Sequence, residues 1–209
     1  MEFRLTYQGP LYATQRDAVG NQPSAKPEHK HAIRKEFHGQ LKRLWEITPF
    51  LKTGQRSGPG TYLLEQGGDE TPVYDQQTLS ERHSLYGFNF VPLVTHELNL
   101  VCSLDILFLR PDKPGGVVWA GDIDNRLKTL FDSLRIPVAG ERYDNRIPET
   151  DEQPFFCLLE EDSLITKVAV ETDQLLQFVG QNRDMADVRL VITVRLRPYE
   201  LHLGNMQFG

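Results

Sequence analysis

Two carboxylates one residue apart, Asp122 and Asp124, stand where the apolar run Val117 to Trp119 gives way to a helical pattern, and Lys128 follows one turn later. These residue types suit divalent-metal chemistry. Mg²⁺ prefers hard oxygen ligands, commonly one or two carboxylates, with water and substrate phosphates in the remaining positions. A nearby ammonium stabilises charge on a phosphoryl group in transfer. A plainer account of the same residues is open: Asp caps the start of a helix, and Lys128 with Asp132 makes an i,i+4 surface pair worth about 0.3 kcal/mol. Asp124 and Asp132 are about 12 Å apart along a helix axis, too far to share one ion with bonds of about 2.1 Å. Asp132 is therefore read as a group that orients Lys128 or supports the ligands from outside the metal's own shell. Asn125 is read equally as positioning a ligand and as capping the helix.

The element that must carry these groups is a helix from about Asp122 to Leu134. At about 100° per residue, Ile123, Leu127, Leu130, Phe131 and Leu134 share an apolar face, and Asp124, Asn125, Lys128 and Asp132 the opposite one. Upstream, Phe3, Leu5 and Tyr7 alternate with polar residues in a short strand ended by Gly9-Pro10. Glu28 to Ile47 has helical period, with Ile33, Phe37, Leu41, Leu44 and Trp45 on its buried stripe. This segment is basic: Lys26, Lys30, Arg34, Lys35, Lys42 and Arg43 outnumber Glu28 and Glu36. It is read either as a phosphate-facing helix or as an ordinary solvated face. His29, His31 and His38 are read as surface residues. Tyr86 to Val94 and Leu98 to Leu109 are two strands about a hairpin turn at Thr95-His96-Glu97. Leu164 to Val170 and Val188 to Leu196 are two more; Arg189, Arg195 and Arg197 face away from the apolar side of the last one. Gln174 to Val179 is expected to form a short helical turn.

The 209-residue chain has the length of one domain and an ordinary apolar share. It holds no run long enough for a membrane span and no signal-peptide apolar core at its start. Cys102 and Cys157 make no disulfide framework, so a reduced, cytoplasmic setting is expected. The net charge of −6 speaks against a nucleic-acid binder on total charge alone, and a local basic patch would have to supply the attraction. Two stretches rich in Gly, Pro and polar residues, about 49–80 and 137–157, read as insertions. The first is expected to carry a short strand at Thr61 to Leu64, but its Gly58-Pro59-Gly60 lacks the Gly-Lys-Ser/Thr of a phosphate-binding P-loop. The second is an acidic loop.

The pattern Asp122-Ile123-Asp124-Asn125-Arg126-Leu127-Lys128-Thr129-Leu130-Phe131-Asp132-Ser133-Leu134, with the later acidic pair Glu161-Asp162 before a strand, resembles the RusA-type Holliday-junction resolvases. The resemblance runs from Leu98 to Leu134 and, more loosely, from Glu160 to Pro198; both insertions depart from it. It implies an α+β fold, a small mixed β-sheet packed by two main helices in a single nuclease domain over 1–209. It further implies Asp122, Asp124 and Asp162 as metal-binding catalytic acids, with Asp144 and Asp151 competing for the third place, and Lys128 as catalytic helper. The ion would be Mg²⁺, with Mn²⁺ the alternative. The implied partners are branched DNA, a four-way junction, and a second copy in a homodimer, with Lys26, Lys30, Arg34, Lys42, Arg43 and Arg195 as candidate DNA contacts. Two rivals remain: a DNA-binding accessory protein that does not cut, and a phosphatase of haloacid-dehalogenase type. The latter expects Gly-Thr soon after its second Asp, where Asn125-Arg126 stands. An EF-hand fails because its sixth position is Leu127 and its twelfth Ser133.

Overall fold

The computed structural model describes residues 1–13, 27–52, 75–111, 122–138, 141, 147–177, 186–202 and 204–209. Lys26, Asp144, Val117 to Trp119 and the expected strand at Thr61 to Leu64 lie outside them, as does the side chain of Asp122. The fold is α+β, with two mixed sheets.

In the larger sheet, β1 (Glu2–Pro10), β7 (Asp187–Pro198), β4 (Leu100–Arg110) and β6 (Ile165–Gln174) lie in the order β1-β7-β4-β6. The first three run antiparallel, while β6 runs parallel to β4. Alternation explains this sheet. Leu5 and Tyr7, Leu104, Ile106 and Phe108, and Val188, Leu190, Ile192 and Val194 point to one buried face, as strand residues two apart must. The helix α1 (Pro27–Ile47) buries Ile33, Phe37, Leu41 and Trp45 in the same core, which the helix α4 (Asp122–Leu134) joins through Leu130 and Leu134.

The smaller sheet follows a different rule. Its strands β2 (Ser84–Leu85), β3 (Phe88–Val94) and β5 (Phe155–Leu159) lie in that order, with β3 parallel to β5. Both β3 and β5 are buried on both faces, so they read as continuous apolar runs rather than alternations. This corrects two expectations. The turn Thr95-His96-Glu97 does not close a hairpin, because β3 pairs with β5 and β4 pairs with β6 and β7. A parallel pair needs a crossover, and the chain between β3 and β5 supplies it through β4 and α4. Nor is 137–157 a loop throughout, since Phe155 and Phe156 already belong to β5. Two short helices, α2 (Pro49–Lys52) and α3 (Gln76–Arg82), occupy the two ends of the stretch 49–80 read as the first insertion; the side chain of Asp75 caps α3 by accepting from the Thr78 N–H at 2.7 Å. Gln174 ends β6 rather than starting a helical turn, and Phe178 and Val179 lie outside the described residues.

Candidate functional site

The motif helix α4 begins at Asp122, which puts both motif acids in its first turn, where the helix dipole favours negative charge. Its apolar face is seated as the periodicity requires: Ile123, Leu130 and Leu134 are buried, and Leu127 and Phe131 pack partly buried against the core. On the other face, Asp124 and Lys128 are exposed. They stand four residues apart, one above the other, and among the described residues neither side chain is engaged in an ion pair or hydrogen bond. Asn125 is half-buried, and its carbonyl accepts from the Thr129 hydroxyl at 3.3 Å.

The far end of the helix is held quite differently. Asp132 is buried and accepts from Lys30 Nζ and from Arg135 Nη2, each at 2.7 Å. It is therefore not the partner of Lys128, and the expected surface pair is replaced by an internal one. Burial alone would push the Asp132 carboxyl up, but the Lys30 ammonium and the Arg135 guanidinium outweigh it and hold the pKa below the usual carboxylate value. Arg34 donates to the Asp132 and Arg135 carbonyls at 2.6 and 3.2 Å. No basic residue of α4 itself lies in its last turn, so a guanidinium from α1 satisfies carbonyls that a helix C-terminus leaves open. Glu141 completes the cluster, at 3.1 Å from Arg135 and 3.4 Å from Arg34.

Lys30 and Arg34 are consequently 7 % and 1 % exposed, and they are withdrawn as phosphate contacts, because their donors are spent inside the fold. Lys42 is half-buried and in no ion pair among the described residues, and Arg43 is exposed beside Glu46. Arg195 is held between Glu2 and Asp105 on the open face of the larger sheet. His31 and His38 are also corrected: both are buried rather than on the surface. His31 meets Glu152 at 3.1 Å and packs on Phe88 and Phe155. Lys35 bonds Glu149 at 2.7 Å, so the acidic stretch Glu149 to Glu152 is pinned to α1. A cavity of about 500 Å³ beside it, lined by Glu28, His31, Lys35, Phe88 and Glu152 among others, contains none of the motif residues.

Asp162 opens a short 3-10 turn ahead of β6. Its carboxylate is 60 % exposed and lies 4.0 Å from Arg135 Nε, which ties it to the C-terminal end of α4. Asp124 stands eleven residues away from Arg135, about 16 Å along the helix axis. The structure thus sets Asp124 and Lys128 on one surface and places Asp162 with the Arg135 cluster at the other end. Asp151 is elsewhere again, its carbonyl bonded to His38. Among the described residues, no group of three His, Cys, Asp or Glu side chains is placed to hold an ion. A Mg²⁺ ion asks for less than that, since one or two carboxylates with water can suffice; the hard oxygens of Asp122 and Asp124 fit such a shell by donor type. The buried cluster was the feature that surface-charge reasoning missed. Its cue was spacing, because Lys30 and Arg34 lie in register with Phe37 and Leu41 on α1.

Among the described residues no helix is long and apolar enough to cross a membrane. Comparisons with protein-family models, with curated proteins and with solved structures each found no match to the chain.

Proposed function

We propose that the chain is a Mg²⁺-dependent, structure-selective endodeoxyribonuclease of RusA type, which acts on four-way DNA junctions as a homodimer in recombination or repair, with Mn²⁺ the alternative ion. The observation that carries this reading is the position of Asp124 and Lys128, both exposed and one turn apart on α4. Where α1 meets the C-terminal end of α4 the charges are spent on the fold: Lys30, Arg34, Asp132 and Arg135 all have internal partners. Asp124 and Lys128 remain exposed on a helix held at its apolar face and at its C-terminal end.

Asp122 and Asp124 would hold the ion, which when bound supplies Lewis-acid activation of water and of a phosphoryl oxygen. Lys128, one turn along, presents its ammonium to the non-bridging oxygens as negative charge grows on them. Water oxygen adds to phosphorus and the bond to the departing sugar oxygen breaks, so one phosphodiester yields a phosphomonoester and a hydroxyl. Arg34 and Lys30 act at a distance, by holding α4 so that its acids do not have to be ordered on binding. Asp162 lies 4.0 Å from Arg135 Nε, which argues against it as a ligand beside Asp124. A junction is close to two-fold symmetric and needs two cuts, and closed two-fold pairing is the commonest oligomer; two copies would supply two such sites.

Cleavage of a synthetic four-way junction, with and without Mg²⁺ and with linear duplex as control, tests the reading. Asp124→Asn is expected to bring cutting to background, and Lys128→Ala to slow it about a hundredfold. Both should fold normally, since each removes an exposed group. Asp162→Asn is expected to keep cutting within about tenfold of the parent. Junction binding with no Mg²⁺-dependent cutting in the parent protein would instead establish the accessory role, which the separation of Asp162 from Asp124 favours as the second reading. Phosphate release from small esters would move the chain to the phosphatases.

A further inference from the structure

The larger sheet has two edges, and they are finished in different ways. At the β1 edge, the side chain of Gln40 stands where a neighbouring strand would be. Its Oε1 accepts from the Thr6 N–H at 2.9 Å, and its Nε2 donates to the Thr6 carbonyl at 2.7 Å. That amide occupies the outward backbone groups in the middle of β1, a recognised way of blunting an edge. It argues against Phe3 to Tyr7 as a pairing surface. Among the described residues the β6 edge has no such plug, and its ten residues pair with β4 alone, on one side. The strand contains neither Pro nor Gly, and the irregularity in that ladder lies at Cys102/Ser103, beside its start.

The sequence of β6 is ordered about its own midpoint. Thr166-Lys167-Val168-Ala169-Val170-Glu171-Thr172 reads the same in both directions, except that Lys167 is matched by Glu171. We propose that β6 is the interface for a second copy of this chain, the two β6 strands pairing antiparallel about a two-fold axis at Ala169. In that register Lys167 faces the partner's Glu171 and Glu171 the partner's Lys167. Val168 meets the partner's Val170, Thr166 the partner's Thr172, and Ala169 its own copy. Every one of the seven residues meets its own type or the opposite charge.

Directly opposed pairs of these kinds are what stabilise an antiparallel ladder. Charge on an edge strand ordinarily deters pairing, but here the two-fold turns each like-charge conflict into an opposite-charge pair. The faces agree as well. Lys167 lies on the open side of the sheet, where it reaches Asp105 at 3.4 Å. Val168, opposite Leu104 in the register, lies on the core side yet is 40 % exposed. A neighbouring strand would cover it. The product is one continuous sheet of twice the four strands seen in one copy.

This proposal does not depend on the nuclease reading, and its test measures mass rather than cleavage. Sedimentation of the full chain from about 1 to 100 µM, a range set by the micromolar affinities of modest interfaces, is expected to show a dimer. Glu171→Lys puts Lys opposite Lys at both symmetric positions and should weaken the dimer about tenfold or more. The double variant Lys167→Glu with Glu171→Lys reverses both charges, restores the opposite-charge pairs, and should recover most of that loss. Circular dichroism of each variant checks that the fold is kept, and Val168→Lys, which leaves those pairs intact, gives a second disruption should Glu171→Lys fail to fold. A monomer throughout the range overturns the proposal. So does a dimer indifferent to Glu171→Lys and Val168→Lys, or a loss that the double variant does not recover.

Discussion

His38 has both ring nitrogens committed. Nδ1 accepts from the Phe156 N–H at 2.8 Å, and Nε2 lies 2.9 Å from the Asp151 carbonyl, to which it donates. A ring that accepts at one nitrogen and donates at the other is neutral, and its planes pack on Phe155 and Phe156. Burial pushes the His38 pKa below its ordinary value; the Asp151 carbonyl opposes the shift, Lys42 adds to it, and the charges of Asp151 and Glu152 oppose it. The unfolded chain, with a histidine near about 6.5, therefore binds more protons than the folded one between that value and the lowered folded pKa. Stability rises with pH in that window: it is complete above about 6.5 and is lost as pH falls towards the folded value. Unfolding free energies from urea titrations between pH 7.5 and 5 should decline with a slope of up to about 1.4 kcal/mol per pH unit from this one proton. His38→Gln can keep an acceptor and a donor without the titration, and it should flatten the decline. An equal decline in both proteins would show that other groups set the acid sensitivity.

Helix α4 is fastened by charge at one end and by apolar packing along its length. Asp132 sits between Lys30 and Arg135, and Asp132→Ala leaves the buried Lys30 without its anion, while Arg135 keeps Glu141 at 3.1 Å. Breaking a buried pair in this way costs roughly 3 to 5 kcal/mol, so the variant should unfold at clearly lower urea concentration. Replacing Lys30 and Asp132 together by Met and Leu should cost much less, because no charge is left uncompensated. A double variant as unstable as the single would show that the pair supplies more than mutual neutralisation. The same helix shows what could be read from sequence. Ile123, Leu130 and Leu134 repeat at helical spacing, as do Ile33, Phe37 and Leu41 on α1, and β1, β4 and β7 alternate; each of these elements was legible. The run Phe155-Phe156-Cys157-Leu158-Leu159 has no alternation, because both of its faces are covered, and it passed as the end of a loop. For the site, the positions of Asp124 and Lys128 on one helix face were legible. The burial of Lys30 and Arg34 was not, because charged side chains ordinarily stay in water and their partners lie about a hundred residues away in the chain. The place of Asp162 depends on how the turn before β6 meets Arg135, which no local pattern encodes.

Across the whole molecule, the charge is −6, so under the proposed function attraction to DNA would have to come from cations not already neutralised. Lys30 and Arg34 are inside. Arg195 carries Glu2 and Asp105 on either side, and the carboxylates hold its charge in a pair-rich patch on the open face of the sheet. Lys42 has no ion-pair partner among the described residues. Among the described residues Arg43 pairs with Glu46 alone, an exposed pair at 3.1 Å with both side chains at least half in water, and such pairs contribute little and are readily given up to a phosphate. Each phosphate neutralised adds about −0.9 to the slope of log affinity against log salt on duplex DNA. Replacing Lys42 and Arg43 together by Ala is therefore expected to flatten that slope by up to about 1.8, and Arg195→Ala to leave it unchanged. Fluorescence anisotropy of a labelled junction across a salt series would measure all three proteins under one set of conditions. If Arg195→Ala flattens the slope and the α1 variant does not, the open face of the sheet is the DNA surface instead. That outcome would put phosphates beside β6, where Lys167 and Glu171 also lie, and DNA and a second copy would then compete for one face.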